Sequence, residues 1–133
     1  MARKILVIDD DPDLVAMIKL GLEAKGFEVA TAASGKDAMA VLDGGFGPDG
    51  IVLDVMMAGR ADGMIFARQL RKNAAHKHIP ILMLTGMREA TGFGPIKDDP
   101  RDPVFLPVDV FLEKPIKRDV LLAKIEELLA AHR

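Results

Sequence analysis

The run Ile51-Val52-Leu53-Asp54-Val55-Met56-Met57, followed by the loose Ala58-Gly59-Arg60-Ala61-Asp62-Gly63, decides how the rest of the chain is read. An apolar stretch of strand length delivers one carboxylate to its end and then stops. Continuous apolar runs of this kind mark strands buried on both faces, as parallel sheets require. Asp54 at the edge of such a strand needs partners, because desolvating even a neutral polar group costs on the order of 2–7 kcal/mol and a lone charge costs more.

Toward the N-terminus, Ile5-Leu6-Val7-Ile8 is a second such run, and it ends at Asp9-Asp10-Asp11. Pro12 suits the first turn of a helix with Asp11 as its N-cap, and Leu14, Val15, Ile18, Gly21 and Leu22 recur at helical spacing until Gly26. Phe27 to Thr31 reads as a strand. Ser34 with Asp37 resembles a capping box for a helix that turns Ala38, Val41 and Leu42 inward and ends at Gly44-Gly45.

Beyond the central run, Met64, Ile65, Ala67 and Leu70 mark a helix that fades near Asn73. Ile79 to Leu84 is a strand with Pro80 tolerated in its first residues, ending in Thr85-Gly86. From Met87 to Pro107 the rhythm breaks: Gly92, Gly94, Pro95, Pro100, Pro103 and Pro107 forbid a normal helix through most of the segment, apart from a turn near Arg88 to Ala90. Val108 to Leu112 is a fifth strand, followed by Lys114-Pro115 and an amphipathic helix with Leu121, Leu122, Ile125, Leu128 and Leu129 inward.

Strands alternating with helices through short connections imply right-handed crossovers and a parallel sheet covered on both faces. The fold class is α/β: a five-stranded parallel doubly wound, flavodoxin-like sandwich with strand order 2-1-3-4-5, its fourth helix shortened or replaced by the Pro/Gly-rich loop 88–107. In that architecture the C-terminal strand ends form the binding edge. They carry Asp9, Asp10, Asp54, Thr85 and Lys114.

Bulk properties narrow the function. At 133 residues, residues 1–133 are expected to form one domain with no output domain. A net charge of −2 with both signs interspersed argues against direct nucleic-acid binding. The absence of cysteine excludes disulfides, thiolate zinc sites and cysteine nucleophiles. No apolar stretch approaches the ~18 residues of a membrane span, and the N-terminus lacks the pattern of a signal peptide, so membrane insertion is not expected and the cytoplasm is the expected compartment. His76, His78 and His132 fall on helix ends or loops and read as solvated, without convincing metal-ligand spacing.

Three carboxylates on one rim repel unless a cation joins them. A hard divalent ion resolves the conflict: Mg²⁺ takes oxygen ligands, and Asp10, Asp54 and the backbone carbonyl of Met56 could fill its protein side, leaving sites for a phosphoryl group. Each residue alone has a plainer reading: a helix cap and solvated turn for Asp9 to Asp11, a strand-end hydroxyl for Thr85, a surface charge for Lys114. Their conjunction on one edge is what points to chemistry.

Over its whole length the chain resembles the receiver domains of two-component response regulators. The matching features are Asp9-Asp10 after strand one, Asp54 after strand three, Thr85 after strand four, Phe111 in strand five, and Lys114-Pro115. The resemblance implies that Asp54 accepts a phosphoryl group from the phosphohistidine of a sensor histidine kinase or phosphotransfer protein, and that Asp9 and Asp10 hold Mg²⁺. It also implies that Thr85 and Lys114 bind the phosphoryl oxygens, that Phe111 reports the state, and that a downstream protein reads the switched surface. Such a protein is a signalling phosphoacceptor rather than an enzyme, limited to self-catalysed phosphotransfer and slow autodephosphorylation.

The chain departs from that family pattern in three places. Ala58 stands where the family usually has proline, Gly63 falls one residue late, and segment 88–107 replaces most of a helix that often carries output contacts. Met56 and Met87, two residues after Asp54 and Thr85, occupy positions that in the family modulate hydrolysis of the acyl phosphate; apolar side chains there are expected to prolong its life. Two other readings compete. A haloacid-dehalogenase-type phosphohydrolase would use an Asp-x-Asp motif after strand one, although Pro12 is misplaced for it and no cap domain is present. A receiver-like interaction module would keep the fold without being phosphorylated.

Overall fold

Five strands and four helices lie along the residues described by the computed structural model, which are 3–54, 62–85, 110–113 and 117–131; at 62–64, 85, 110, 111 and 113 the backbone alone is described. They are β1 (Lys4–Ile8), α1 (Pro12–Ala24), β2 (Glu28–Ala32), α2 (Gly35–Asp43), β3 (Gly50–Asp54), α3 (Asp62–Lys72), β4 (Ile81–Thr85), β5 (Val110–Glu113) and α4 (Arg118–Ala131). The strands form one sheet in the order β2-β1-β3-β4-β5, every pair parallel. That order places β3, the central apolar run, in the middle of the sheet, where all five of its residues are buried.

Alternation along the strands sends successive side chains to opposite layers. Leu6, Ile8, Ile51, Leu53, Ile81 and Met83 meet Ala38, Leu42, Phe66, Ala67 and Leu70 of α2 and α3. Ile5, Val7, Val52, Leu82 and Leu84 meet Ile18 and Leu22 of α1 and the leucines and Ile125 of α4. Over β1, β3 and β4 both faces are covered, so the continuous apolar runs of these strands have their physical reason: polar residues on either face would be left unsatisfied here.

The helix boundaries follow local chemistry. Asp11 caps α1, its carboxylate accepting from the backbone N–H of Asp13 and Leu14 at 3.0 and 3.3 Å. Ser34 caps α2 by accepting from Asp37 N–H at 3.1 Å. Each of these helices ends in the same way: Gly26 (φ 91°) and Gly45 (φ 101°) adopt the left-handed conformation, and the amides of Phe27 and Phe46 reach back to the carbonyls of Leu22 and Val41.

Three sequence expectations shift. β4 begins at Ile81, so Pro80 precedes the strand, and its carbonyl accepts from Ile51 N–H at 3.0 Å. β5 is described from Val110 to Glu113, one residue past the expected end at Leu112, while Val108 and Asp109 of the expected strand lie outside the described residues. On α3, Ala67 and Leu70 are buried as the spacing predicts, whereas Ile65 is 52 % exposed and Phe66 is buried instead, packed against Gly35 of α2. The segment 88–107, including the turn expected near Arg88, lies outside the described residues.

Candidate functional site

The register of the sheet assembles the acidic set. Ile8 pairs with Leu53, so Asp9 and Asp54, each the next residue along, emerge side by side from two central strands. Asp10 follows in the β1–α1 turn. Carboxylate oxygens of Asp9, Asp10 and Asp54 lie within 4.8 Å of one another, with Asp9 and Asp54 buried and Asp10 exposed. The turn is held by Asp9 itself: its amide donates to Ala32 O at 3.0 Å, and its Oδ1 accepts from Asp11 N–H at 3.0 Å. Asp11, the third acid of the run, is committed to the helix cap.

Two ionised carboxylates about 5 Å apart repel by about 3 kcal/mol at an effective dielectric of 20. An all-oxygen donor set of this size suits a hard divalent cation, because an octahedral Mg²⁺ shell places opposite oxygens about 4.2 Å apart. The residues present therefore fit such an ion, with Asp10 on the solvent side able to receive it still partly hydrated.

The neighbouring strands continue the edge. Asp54 pairs with Leu84, which puts Thr85 one position further along β4, and Thr85 in turn pairs with Glu113 of β5. Lys114 is the residue after Glu113 and lies outside the described residues, as do Met56, Ala58 and Met87; Phe111 pairs with Met83 through the backbone of β5. The structure thus brings Asp9, Asp10 and Asp54 together, and sets Thr85 on the same sheet edge.

A feature that sequence reasoning missed lies beside the acids. A groove of about 430 Å³ is lined by Asp9, Asp10, Pro12, Val15, Thr31, Ala32, Ala33 and Asp37. Its far wall comes from the β2–α2 turn, whose contribution depends on β2 lying next to β1. In the sequence the only trace was Asp37, read as part of a helix cap.

The chain matches the family model described as the response regulator receiver domain over residues 5–126. Among solved structures it is similar to the chemotaxis response regulator CheY4 of Vibrio cholerae, at 30% identity and a TM-score of 0.79, covering 96% of this chain and 99% of that one. It is also similar to a putative response regulator from Chloroflexus aurantiacus, at 29% identity and a TM-score of 0.80, covering 98% and 99%. A third likeness is to the signal receiver domain of a signal transduction histidine kinase from Syntrophus aciditrophicus, at 28% identity and a TM-score of 0.79, covering 98% and 92%. With the parallel 2-1-3-4-5 sheet and a carboxylate cluster at its C-terminal edge, the chain belongs to the response regulator receiver domain family.

Proposed function

We propose that Asp54 is the phosphoacceptor of this receiver, that Asp9 and Asp10 hold Mg²⁺ together with Asp54 and the carbonyl of Met56, and that Thr85 and Lys114 bind the phosphoryl oxygens. Membership of the family makes the chain a phosphoacceptor in two-component signalling and implies interaction with histidine kinases or phosphotransfer proteins. The observation that carries the residue assignment is the convergence of three carboxylates within 4.8 Å at the end of the two central strands.

Phosphoryl transfer passes through a loose transition state with charge on the peripheral oxygens, so catalysis is positioning and charge neutralisation. A bound Mg²⁺ supplies part of that positive charge. The backbone of Asp54 is held at the end of β3 by pairing with Leu84, which positions its carboxylate for in-line attack on a phosphohistidine. As a carboxylate it needs no general base, consistent with a rim that carries no histidine. Lys114 contributes a second positive charge and Thr85 a hydroxyl donor; movement of Thr85 toward the phosphoryl group vacates volume for Phe111, a packing switch set by a local change of charge. Residues 1–133 act as one receiver domain in the cytoplasm, with a downstream protein reading the switched surface. Among the described residues no helix is long and apolar enough to cross a membrane.

The hydrolase reading loses its motif in the structure, since Asp11 caps α1 through the amides of Asp13 and Leu14 and Pro12 already opens the helix. The test is labelling with acetyl phosphate and Mg²⁺. One phosphoryl group per chain, absent without Mg²⁺ and absent in Asp54→Ala, is the expected result. Sustained hydrolysis of a phosphomonoester, retained in Asp54→Ala, would establish a hydrolase, and no labelling at all an interaction module.

A further inference from the structure

The residues on either side of Asp10 hold the backbone in the same way. Asp9 Oδ1 accepts from the N–H of Asp11 at 3.0 Å, and Asp11 Oδ1 accepts from the N–H of Asp13 and Leu14 at 3.0 and 3.3 Å. Asp11 is extended (φ −92°, ψ 105°), and Pro12 opens α1 directly after it. A helix leaves its first four N–H groups without intrahelical partners. Here Asp9 satisfies the first, Pro12 lacks the second, and Asp11 satisfies the third and fourth. The cap of α1 thus begins in the acidic cluster itself, with Asp9 belonging to both.

Packing does little to hold this turn. Ile18 is the first buried residue of α1, and none of residues 12–17 is buried. On the β2 side the turn borders the groove of about 430 Å³, to whose lining Pro12 and Val15 contribute, so there is open space into which it can move. The bonds to Asp11, with Val15 N–H donating to Asp11 O at 3.0 Å, are what close the first turn. Asp10 is exposed and takes its place from the backbone between the two aspartates.

We propose that Asp11 is a positioning residue of the metal site: its carboxylate, committed to the amides of α1, acts through the backbone to hold the chain on which Asp9 and Asp10 present their oxygens to a divalent cation. The proposal rests on the reading of Asp9, Asp10 and Asp54 as the holders of that cation. Losing a cap shifts the balance between a formed and a frayed first turn by about two- to thirtyfold, and ion affinity falls by the share of molecules in which the turn is not formed.

The test is titration of the full chain with Mn²⁺, followed by the paramagnetic resonance of the free ion, and displacement by Mg²⁺. High salt screens the exposed Asp11 charge. Asp11→Ala should weaken binding by about threefold or more, whereas Asp11→Asn, which keeps the accepting oxygen and is an equally good cap, should bind within about twofold of the wild type. Gly26→Ala, which strains the far end of the same helix, should lower the melting temperature and leave ion affinity unchanged. In the wild type the coupling is reciprocal, so saturating Mg²⁺ should slow solvent exchange of the Asp13 and Leu14 amides; this arm needs no variant to fold. Asp11→Ala binding like the wild type, Asp11→Asn or Gly26→Ala weakened as much as Asp11→Ala, or exchange that Mg²⁺ does not slow would each overturn the proposal while leaving the metal reading intact. A wild type that binds neither ion, or binds it equally in Asp54→Ala, would overturn the metal reading and the proposal with it.

Discussion

Replacing Asp54 by Asn keeps the shape of the side chain and removes one of three charges whose ligand atoms lie within 4.8 Å of one another. Asp9 and Asp54 are only 3 % and 4 % exposed, so water does little to soften their repulsion. At that separation and an effective dielectric of 20, a fully ionised pair costs about 3.5 kcal/mol. Asp10 is exposed, and its share is reduced by solvent. Opposing this, Asp54 makes interactions in the folded protein of which an amide retains only a part. The net expectation without metal is that Asp54→Asn is more stable than the wild type by about 1–2 kcal/mol, raising the melting temperature by roughly 3–10 °C for a chain of this size.

Magnesium should reverse the comparison. A ligand that binds only the folded state adds about 2.7 kcal/mol at one hundred times its Kd, and the wild type, with its full complement of carboxylates, should gain most of that. The Asn variant has lost one ligand charge and should gain much less. Thermal scans of both proteins in chelator and in excess Mg²⁺ measure all four quantities. The reasoning is refuted if the variant melts at or below the wild type in chelator, or if Mg²⁺ raises both by the same amount.

Three further outcomes are expected. Gly26→Ala and Gly45→Ala each force an L side chain into the left-handed region at φ of 91° and 101° with open space around it; each should cost about 1–2 kcal/mol, and the double variant about the sum, by urea denaturation. Arg71→Ala removes the guanidinium whose Nη1 donates to both Lys77 O at 2.9 Å and Ile79 O at 2.6 Å; the loss should be about 1–3 kcal/mol, whereas Arg71→Lys should recover part of it, because one ammonium has donors enough for both carbonyls but sits on a stem of different reach. Met87→Glu should speed decay of the Asp54 phosphate by giving a water an orienting carboxylate, and unchanged or slower loss of label would count against a role for the apolar side chain.

The parts of the fold that were legible in the sequence are those encoded within a few residues. Asp11 and Ser34 act on amides two or three positions away, and Gly26 and Gly45 on carbonyls just behind them, so caps and stops could be read from neighbours alone. The central strands β1, β3 and β4 are apolar runs because both of their faces are covered. Ile65 was misjudged for the opposite reason: helical spacing locates an apolar stripe only to within about one position, and which of Ile65 and Phe66 turns inward is decided by Gly35, thirty residues away in sequence, where a missing Cβ admits the phenyl ring. The groove with Thr31, Ala33 and Asp37 was invisible because it exists only once β2 has taken its place beside β1.

The acidic site shows where that boundary falls. Residue types at strand ends could be read in order, but proximity of Asp9 to Asp54 requires that β3 align with β1 in one register, and a strand buried on both faces does not fix its own register: a slip by one would still present apolar side chains to each layer. What distinguishes the observed alignment lies at the other end of the strand. Gly50 pairs with Ile5, and a Cβ there would stand 3.0 Å from Leu129 of α4 and 3.5 Å from Ile5 Cδ1. A slip in either direction would bring the side chain of Asp49 or Ile51 into that space, and Leu129 and Ile5 would have to give way. Leu129 therefore packs most closely over the start of β3 when Gly50 lies beneath it, and in that register the fifth residue of the strand, Asp54, emerges beside Asp9. The absence of a side chain at one edge of the sheet thus favours the register that brings the carboxylates together at the other.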